Sequence, residues 1–138
     1  SYLDADNHIE KNSSYNTPPT FSIFVMLKVL EWIEENGGVK EIEKLNKIKA
    51  EKLYKYLNDK DDVFSLKVPQ NFRSLSNVVF NFKDVKQTQI FLDHCLQNGY
   101  IGLNGHRSVG GIRISNYNSI DLSMVEDFIS FLDGFVNK

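Results

Sequence analysis

The chain has 138 residues, of which 41% are hydrophobic and 25% charged, with a formal net charge of -2. Chains of this size bury roughly two thirds of the surface their unfolded form exposes, so one domain with a real core is expected, and a disordered, collagen-like or repeat composition is excluded. The small negative charge gives no global attraction to nucleic acid or an anionic membrane, so any anion site must be a local cluster of basic groups.

Ser1-Tyr2-Leu3-Asp4 carries no initiator methionine and leads into a polar stretch without regular period up to Tyr15, so the chain is expected to begin within a longer protein. A helix is predicted from Thr20 to Glu35, with Thr20 as N-cap after Pro18-Pro19 and Gly37-Gly38 as the stop. Its apolar residues, from Phe21 through Ile23, Phe24, Val25 and Met26 to Ile33, surround almost the whole cylinder. That is the pattern of a helix covered on all sides. Either it is the central core helix of this chain, or a partner surface from another domain or a second subunit packs on it.

The next predicted helix, Val39 to about Asn58, is amphipathic: Val39, Ile42, Leu45, Leu53, Tyr56 and Leu57 gather on one face. Lys40, Glu41, Glu43, Lys44, Lys47 and Lys55 form its solvated face. Val63 to Val68 and Asn77 to Phe82 read as strands, joined by a loop from Pro69 to Ser76. A helix follows from about Val85 to Asn98, with Phe91, Leu92, Cys95 and Leu96 inward and Gly99 as its stop. Tyr100 to Leu103 and Gly111 to Ser115 read as short strands flanking a glycine-rich loop. Asp121 is placed to cap a last helix whose Leu122, Val125, Phe128, Ile129, Leu132 and Val136 face the core.

The expected fold is α/β in the α+β sense: helices packed on one small, mostly antiparallel sheet. A boundary is expected near Gly37-Gly38, giving segments 1-37 and 38-138. The single cysteine, Cys95, lies in an apolar helical pattern and is expected to be a buried, inert thiol in a reducing cytoplasm. The most apolar run, Phe21 to Leu30, is too short for a membrane span, and no membrane segment is expected.

Two clusters could carry chemistry. In Asn16-Thr17-Pro18-Pro19-Thr20 the prolines fix an extended approach to a helix start. The Asn16 amide and Thr17 hydroxyl there can donate to a phosphate, or the segment is an ordinary capping turn. In Gly102-Leu103-Asn104-Gly105-His106-Arg107-Ser108-Val109-Gly110-Gly111-Ile112-Arg113-Ile114-Ser115 the glycines permit close backbone approach or positive φ. His106 and Arg107 stand together between them. Arg113 alternates with Ile112 and Ile114, so it points away from the core if they point inward. Two arginines and a histidine on one short segment can bind two separate anionic groups, because the guanidinium fork engages a carboxylate or phosphate through two hydrogen bonds. The other reading is a glycine-rich hairpin whose arginines pair with acidic neighbours.

Neither a Walker loop nor a dinucleotide fingerprint is present. His8 and His94 lie far apart in sequence, so no metal site is expected. No serine has nucleophile-elbow spacing.

Both clusters together, with Leu30-Glu31-Trp32 after the first and Tyr117-Asn118 after the second, resemble the phosphoserine aminotransferase family, a class V group of the fold type I pyridoxal-phosphate enzymes. The likeness spans nearly the whole chain. It implies a homodimer that moves an amino group from glutamate to 3-phosphohydroxypyruvate, giving O-phosphoserine and 2-oxoglutarate in serine biosynthesis and often serving pyridoxine biosynthesis too. It also implies that Asn16 and Thr17 reach the phosphate of pyridoxal 5'-phosphate across the dimer interface. His106 and Arg107 would hold the substrate phosphate, and Arg113 its α-carboxylate. Residues 1-37 would be the tail of the cofactor-binding large domain and 38-138 the C-terminal small domain.

The chain departs from the family pattern in lacking the N-terminal cofactor domain, and with it the lysine that anchors the cofactor. That lysine lies upstream of the position matching Tyr2 in the family, so no catalytic residue is assigned in this chain and inactivity alone is expected. Ile114 and Asn116 stand where relatives often have a small residue and an apolar one, which touches local packing only. Two further readings stand beside this one: another class V aminotransferase acting on a different acid, and a non-catalytic module that binds a phosphorylated ligand.

Overall fold

The computed structural model describes Tyr2 to Asn137, and these residues divide into two units, one up to Val39 and one from Lys40.

In the first unit the stretch expected to be irregular contains a short helix, α1 (Ala5–Glu10). Asp4 caps it by accepting from the Asp6 N–H at 3.2 Å, a local signal that a search for apolar period passes over. His8 lies edge-on between the rings of Tyr2 and Tyr15, with centroids 5.6 and 5.5 Å away. The long helix α2 (Thr20–Glu35) has the bounds read from the sequence. Its cap differs: Thr20 is already helical, Pro19 holds the N-cap position, and no side chain caps the end. The Thr20 N–H is drawn instead to the Pro18 carbonyl at 2.8 Å. Gly37 and Gly38 take positive φ where the helix stops. No residue of α2 is buried, and Phe21 is 78% exposed.

The second unit contains α3 (Gly38–Asp59) apart from its first two residues, then β1 (Phe64–Ser65), β2 (Asn77–Phe82), α4 (Val85–Gln97), β3 (Asn104–His106), β4 (Gly110–Ser115) and α5 (Leu122–Val136). The sheet runs β1-β2-β4-β3 and every neighbouring pair is antiparallel, in agreement with the fold read from the sequence. Val78, Phe80 and Phe82 of β2 and Ile112 of β4 bury one face against Leu53 and Leu57 of α3, Phe91 and Cys95 of α4, and Val125, Phe128 and Leu132 of α5. Phenylalanine dominates this core: Phe64 meets Phe80 edge-on at 5.3 Å, and Phe91 meets Phe135 at 5.0 Å. Such pairs add to the burial term.

Three details depart from the sequence reading. The strand β1 is only two residues long, since beyond Ser65 the chain leaves the register that pairs Phe64 with Phe82 and Ser65 with Asn81. The first strand of the hairpin lies at Asn104–His106 rather than at Tyr100 to Leu103, because Gly102 at φ 79 breaks the extended run and the glycines beyond it can pair closely. Asp121 occupies the N-cap of α5 without a side-chain capping bond, although its backbone carbonyl accepts from Val125 N at 3.3 Å. Cys95 is buried, as expected of an inert thiol, and burial pushes its pKa up to about 12.

Candidate functional site

The hairpin β3–β4 is built from what its glycines lack. Asn104 pairs with Ile112 and His106 with Gly110, with Arg107, Ser108 and Val109 making the turn, which the Val109 N–H closes onto the His106 carbonyl at 2.9 Å. A Cβ on Gly105 would overlap the Gly110 carbonyl oxygen, and one on Gly111 would overlap the Asn81 side-chain oxygen. Gly110 and Gly111 also take φ of 69 and 82, a region L side chains rarely adopt. Gly105 thus lets the two strands of the hairpin close on each other, Gly111 leaves room for Asn81 of β2, and the turn presents His106 and Arg107 at the hairpin tip.

The imidazole of His106 is held by its own turn. Its Nδ1 lies 2.8 Å from Ser108 Oγ and accepts from the Ser108 backbone N–H at 3.3 Å. The contact with the Ser108 N–H suits the neutral tautomer with its proton on Nε2, in which Nε2–H is a donor. Arg107 beside it is exposed.

Arg113 stands opposite Val79 in the register, on the face of the sheet that the core residues do not use. Its Nε is buried and has no hydrogen-bond partner. An unpartnered donor of a permanently charged group is costly to bury, and a carboxylate or phosphate supplied from outside would satisfy it. Among the described residues every ion pair uses a lysine, so neither Arg107 nor Arg113 is neutralised by an acidic neighbour. The alternative of arginines paired within the hairpin therefore does not hold. Arg113 follows Gly110, the partner of His106, by three residues, or about 10 Å along the strand at 3.4 Å per residue.

An open groove of about 500 Å³ borders the hairpin, lined by Val109, Gly110, Gly111, Asn81, Lys67 and Lys83 among others. Neither lysine has a carboxylate partner among the described residues, so the local field beside the hairpin is positive in a chain that is acidic overall.

Asn16 and Thr17 belong to the first unit, apart from the hairpin in the division of the chain. Both are exposed just before α2, whose N-terminus no side chain caps. Two side-chain donors leading into the uncapped start of a helix of 16 residues suit the phosphate of a cofactor. No group of three or more His, Cys, Asp or Glu placed to hold a metal occurs among the described residues, and none of their helices is long and apolar enough to cross a membrane.

Sequence reasoning passed over Lys49 and read Asn116 only as a matter of local packing; these are the two buried polar residues among the described residues, at 2% and 1% exposed. The Lys49 ammonium donates to the carbonyls of Tyr117 and Ile120, both at 2.8 Å. Burial lowers its pKa from the ordinary lysine value, with the Asp121 carboxylate opposing that shift. The signal was present, since Lys49 lies four residues from both Leu45 and Leu53 and so falls on the apolar stripe of α3 rather than on its solvated face.

The family profile described as Aminotransferase class-V matches residues 3–128. A phosphoserine aminotransferase of Listeria monocytogenes is 46% identical over 137 residues, which are 99% of this chain and 38% of the relative. That of Shouchella clausii is 43% identical over 136 residues, 99% of this chain and 37% of the relative. Among solved structures, phosphoserine aminotransferase from Bacillus circulans subsp. alkalophilus superposes with a TM-score of 0.87 at 35% identity, covering 95% of this chain and 36% of that one. The pyridoxal-phosphate-bound enzyme from Trichomonas vaginalis gives 0.81 at 34%, covering 94% and 37%. The chain thus spans little more than a third of the length of the proteins it matches.

Proposed function

The chain belongs to the class-V aminotransferase family, and from that premise we propose that it is the C-terminal part of a phosphoserine aminotransferase, an enzyme that transfers an amino group between glutamate and 3-phosphohydroxypyruvate in serine biosynthesis. The observation that carries this reading is the pair of unneutralised arginines, Arg107 at the hairpin tip and Arg113 with its buried, unpartnered Nε.

In this reading the Nε2–H of His106 and the guanidinium of Arg107 bind the substrate phosphate. Arg113 binds the α-carboxylate. Charge-assisted hydrogen bonds of this kind are about twice as strong as neutral ones and fix orientation as well as affinity. With both ends held, the carbon between them has one orientation, which is the contribution positioning makes to rate. Asn16 and Thr17, with the start of α2, hold the phosphate of pyridoxal 5'-phosphate. The cofactor, when bound, supplies the carbonyl that takes up and releases the amino group and the electron sink that makes the adjacent proton labile.

The residue that anchors the cofactor covalently lies in the N-terminal part of the enzyme in this reading, so the chain by itself does not turn over substrate. Residues 1-37 are the end of the cofactor-binding domain, and 38-138 are the small domain. The apolar circumference of α2, which no other described residue buries, packs in the whole enzyme against that domain and the second subunit of a homodimer. The enzyme works in the cytoplasm.

The test is transamination by the full-length protein with added cofactor, following formation of 2-oxoglutarate from glutamate. Turnover with 3-phosphohydroxypyruvate well above that with its unphosphorylated analogue is expected. Turnover confined to an unphosphorylated keto acid contradicts the proposal.

A further inference from the structure

Among the described residues Arg113 Nε has no partner to hold it, so its position depends on how firmly the backbone of β4 is placed. The strand is tied at its C-terminal end from two sides. On one side the Asn116 N–H donates to the Ser76 carbonyl at 2.8 Å, and its amide Nδ2 donates to the Leu75 carbonyl at 3.1 Å. On the other side stands Lys49 of α3. The four residues Tyr117 to Ile120 form a turn closed by Ile120 N–H to Tyr117 carbonyl at 3.0 Å, and the Lys49 ammonium donates to both end carbonyls of that turn. One turn earlier on α3, Asn46 Nδ2 donates to Asn118 Oδ1 at 2.7 Å.

A lysine on the apolar stripe of a helix is a costly choice. Burying an ammonium carries a penalty of several kcal/mol unless hydrogen bonds offset it, and a leucine at the same place would pack with none. What the lysine adds is geometry. Two short charge-assisted bonds fix two carbonyls of one turn, which a hydrophobic contact, having no direction, cannot do.

We infer that Lys49 is a positioning residue for substrate binding: through the Tyr117–Ile120 turn it sets the place of the C-terminal end of β4, and so of Arg113. The inference rests on the reading of Arg113 as the carboxylate site. It adds a residue that touches no ligand, lies 64 positions earlier in the chain, and sits on a different element.

The experiment replaces Lys49 by Met in the full-length enzyme, which keeps most of the volume and removes the donors, with Lys47→Met on the solvated face of the same helix as control. Lys49→Met raises KM for 3-phosphohydroxypyruvate about tenfold with kcat within about twofold, the split expected of displaced ground-state contacts. Lys49→Arg recovers most of the loss, and Lys47→Met changes nothing. If Lys49→Met does not fold, Asn46→Ala removes only the outer bond of the same clamp and raises KM about threefold. Unchanged KM in the folded variants, even with a lower melting temperature, overturns the inference.

A wild-type enzyme that does not act on 3-phosphohydroxypyruvate refutes the functional reading instead. The inference is then read from the NMR signal of the Arg113 Nε–H, sharp in the wild type and broadened or split in Lys49→Met, or in Asn46→Ala where that is the variant that folds. An unchanged signal overturns it.

Discussion

The side-chain oxygen of Asn81 occupies the place where a β-carbon on Gly111 would lie. Asn81 thereby seats the hairpin on β2, and Gly111, already at φ 82, cannot be another residue without moving one or the other. Gly111→Ala is expected to lower stability by about 1–2 kcal/mol, most of it from the positive φ and a smaller part from the overlap, which the Asn81 side chain relieves by swinging aside. Adding Asn81→Gly to it should recover the overlap part and leave the φ part. Urea unfolding of the two single variants and the double variant measures this as a coupling.

Phe91 touches Phe82, Phe128, Phe131 and Phe135, so it joins α4, β2 and α5 in one contact set. Truncation to alanine leaves a cavity that four rings cannot fill by small shifts. Phe91→Ala should cost about 3–5 kcal/mol in urea or guanidinium unfolding, whereas Phe72→Ala, at an exposed site, should cost little.

Burial raises the Cys95 thiol to about 12 from an ordinary 9.0. At pH about 8.5 on the order of 1 in 3,000 native molecules would carry the thiolate, so iodoacetamide should label the unfolded chain quickly and the native one hardly at all. The same shift links to stability. Below pH 9.0 both states keep the proton; between 9.0 and about 12 the unfolded state loses it first, so stability falls as pH rises through that window. A Cys95→Ala variant, weaker at neutral pH, should lack that part of the alkaline loss.

How much of this was legible beforehand depended on the kind of signal. The helices α2 to α5 and the strand β2 follow from periodicity and glycine stops, and the antiparallel sheet from the order of elements. The hairpin strand was misplaced at Tyr100 to Leu103 because those residues look like a strand by composition. Backbone pairing at Gly105 and Gly110 depends on missing side chains, which no propensity scale rewards. The candidate anion residues were visible as types in a pattern. What the sequence could not reveal is that Arg113 Nε is buried without a partner, or that Lys49 reaches two carbonyls 68 and 71 positions away. Those are tertiary facts, and only the place of Lys49 on an apolar stripe hinted at one of them.

The central claim is that the hairpin tip recognises a phosphate and Arg113 a carboxylate on the same substrate. The most direct measurement compares kcat/KM of the full-length enzyme for 3-phosphohydroxypyruvate and for 3-hydroxypyruvate in the wild type, Arg107→Ala and Arg113→Ala. Losing charge-assisted bonds worth about 1.5–3 kcal/mol, Arg107→Ala should lose about 10- to 150-fold with the phosphorylated substrate and almost nothing with the other, while Arg113→Ala should lose comparably with both. An Arg107→Ala enzyme that keeps its full preference for the phosphorylated substrate would contradict the account.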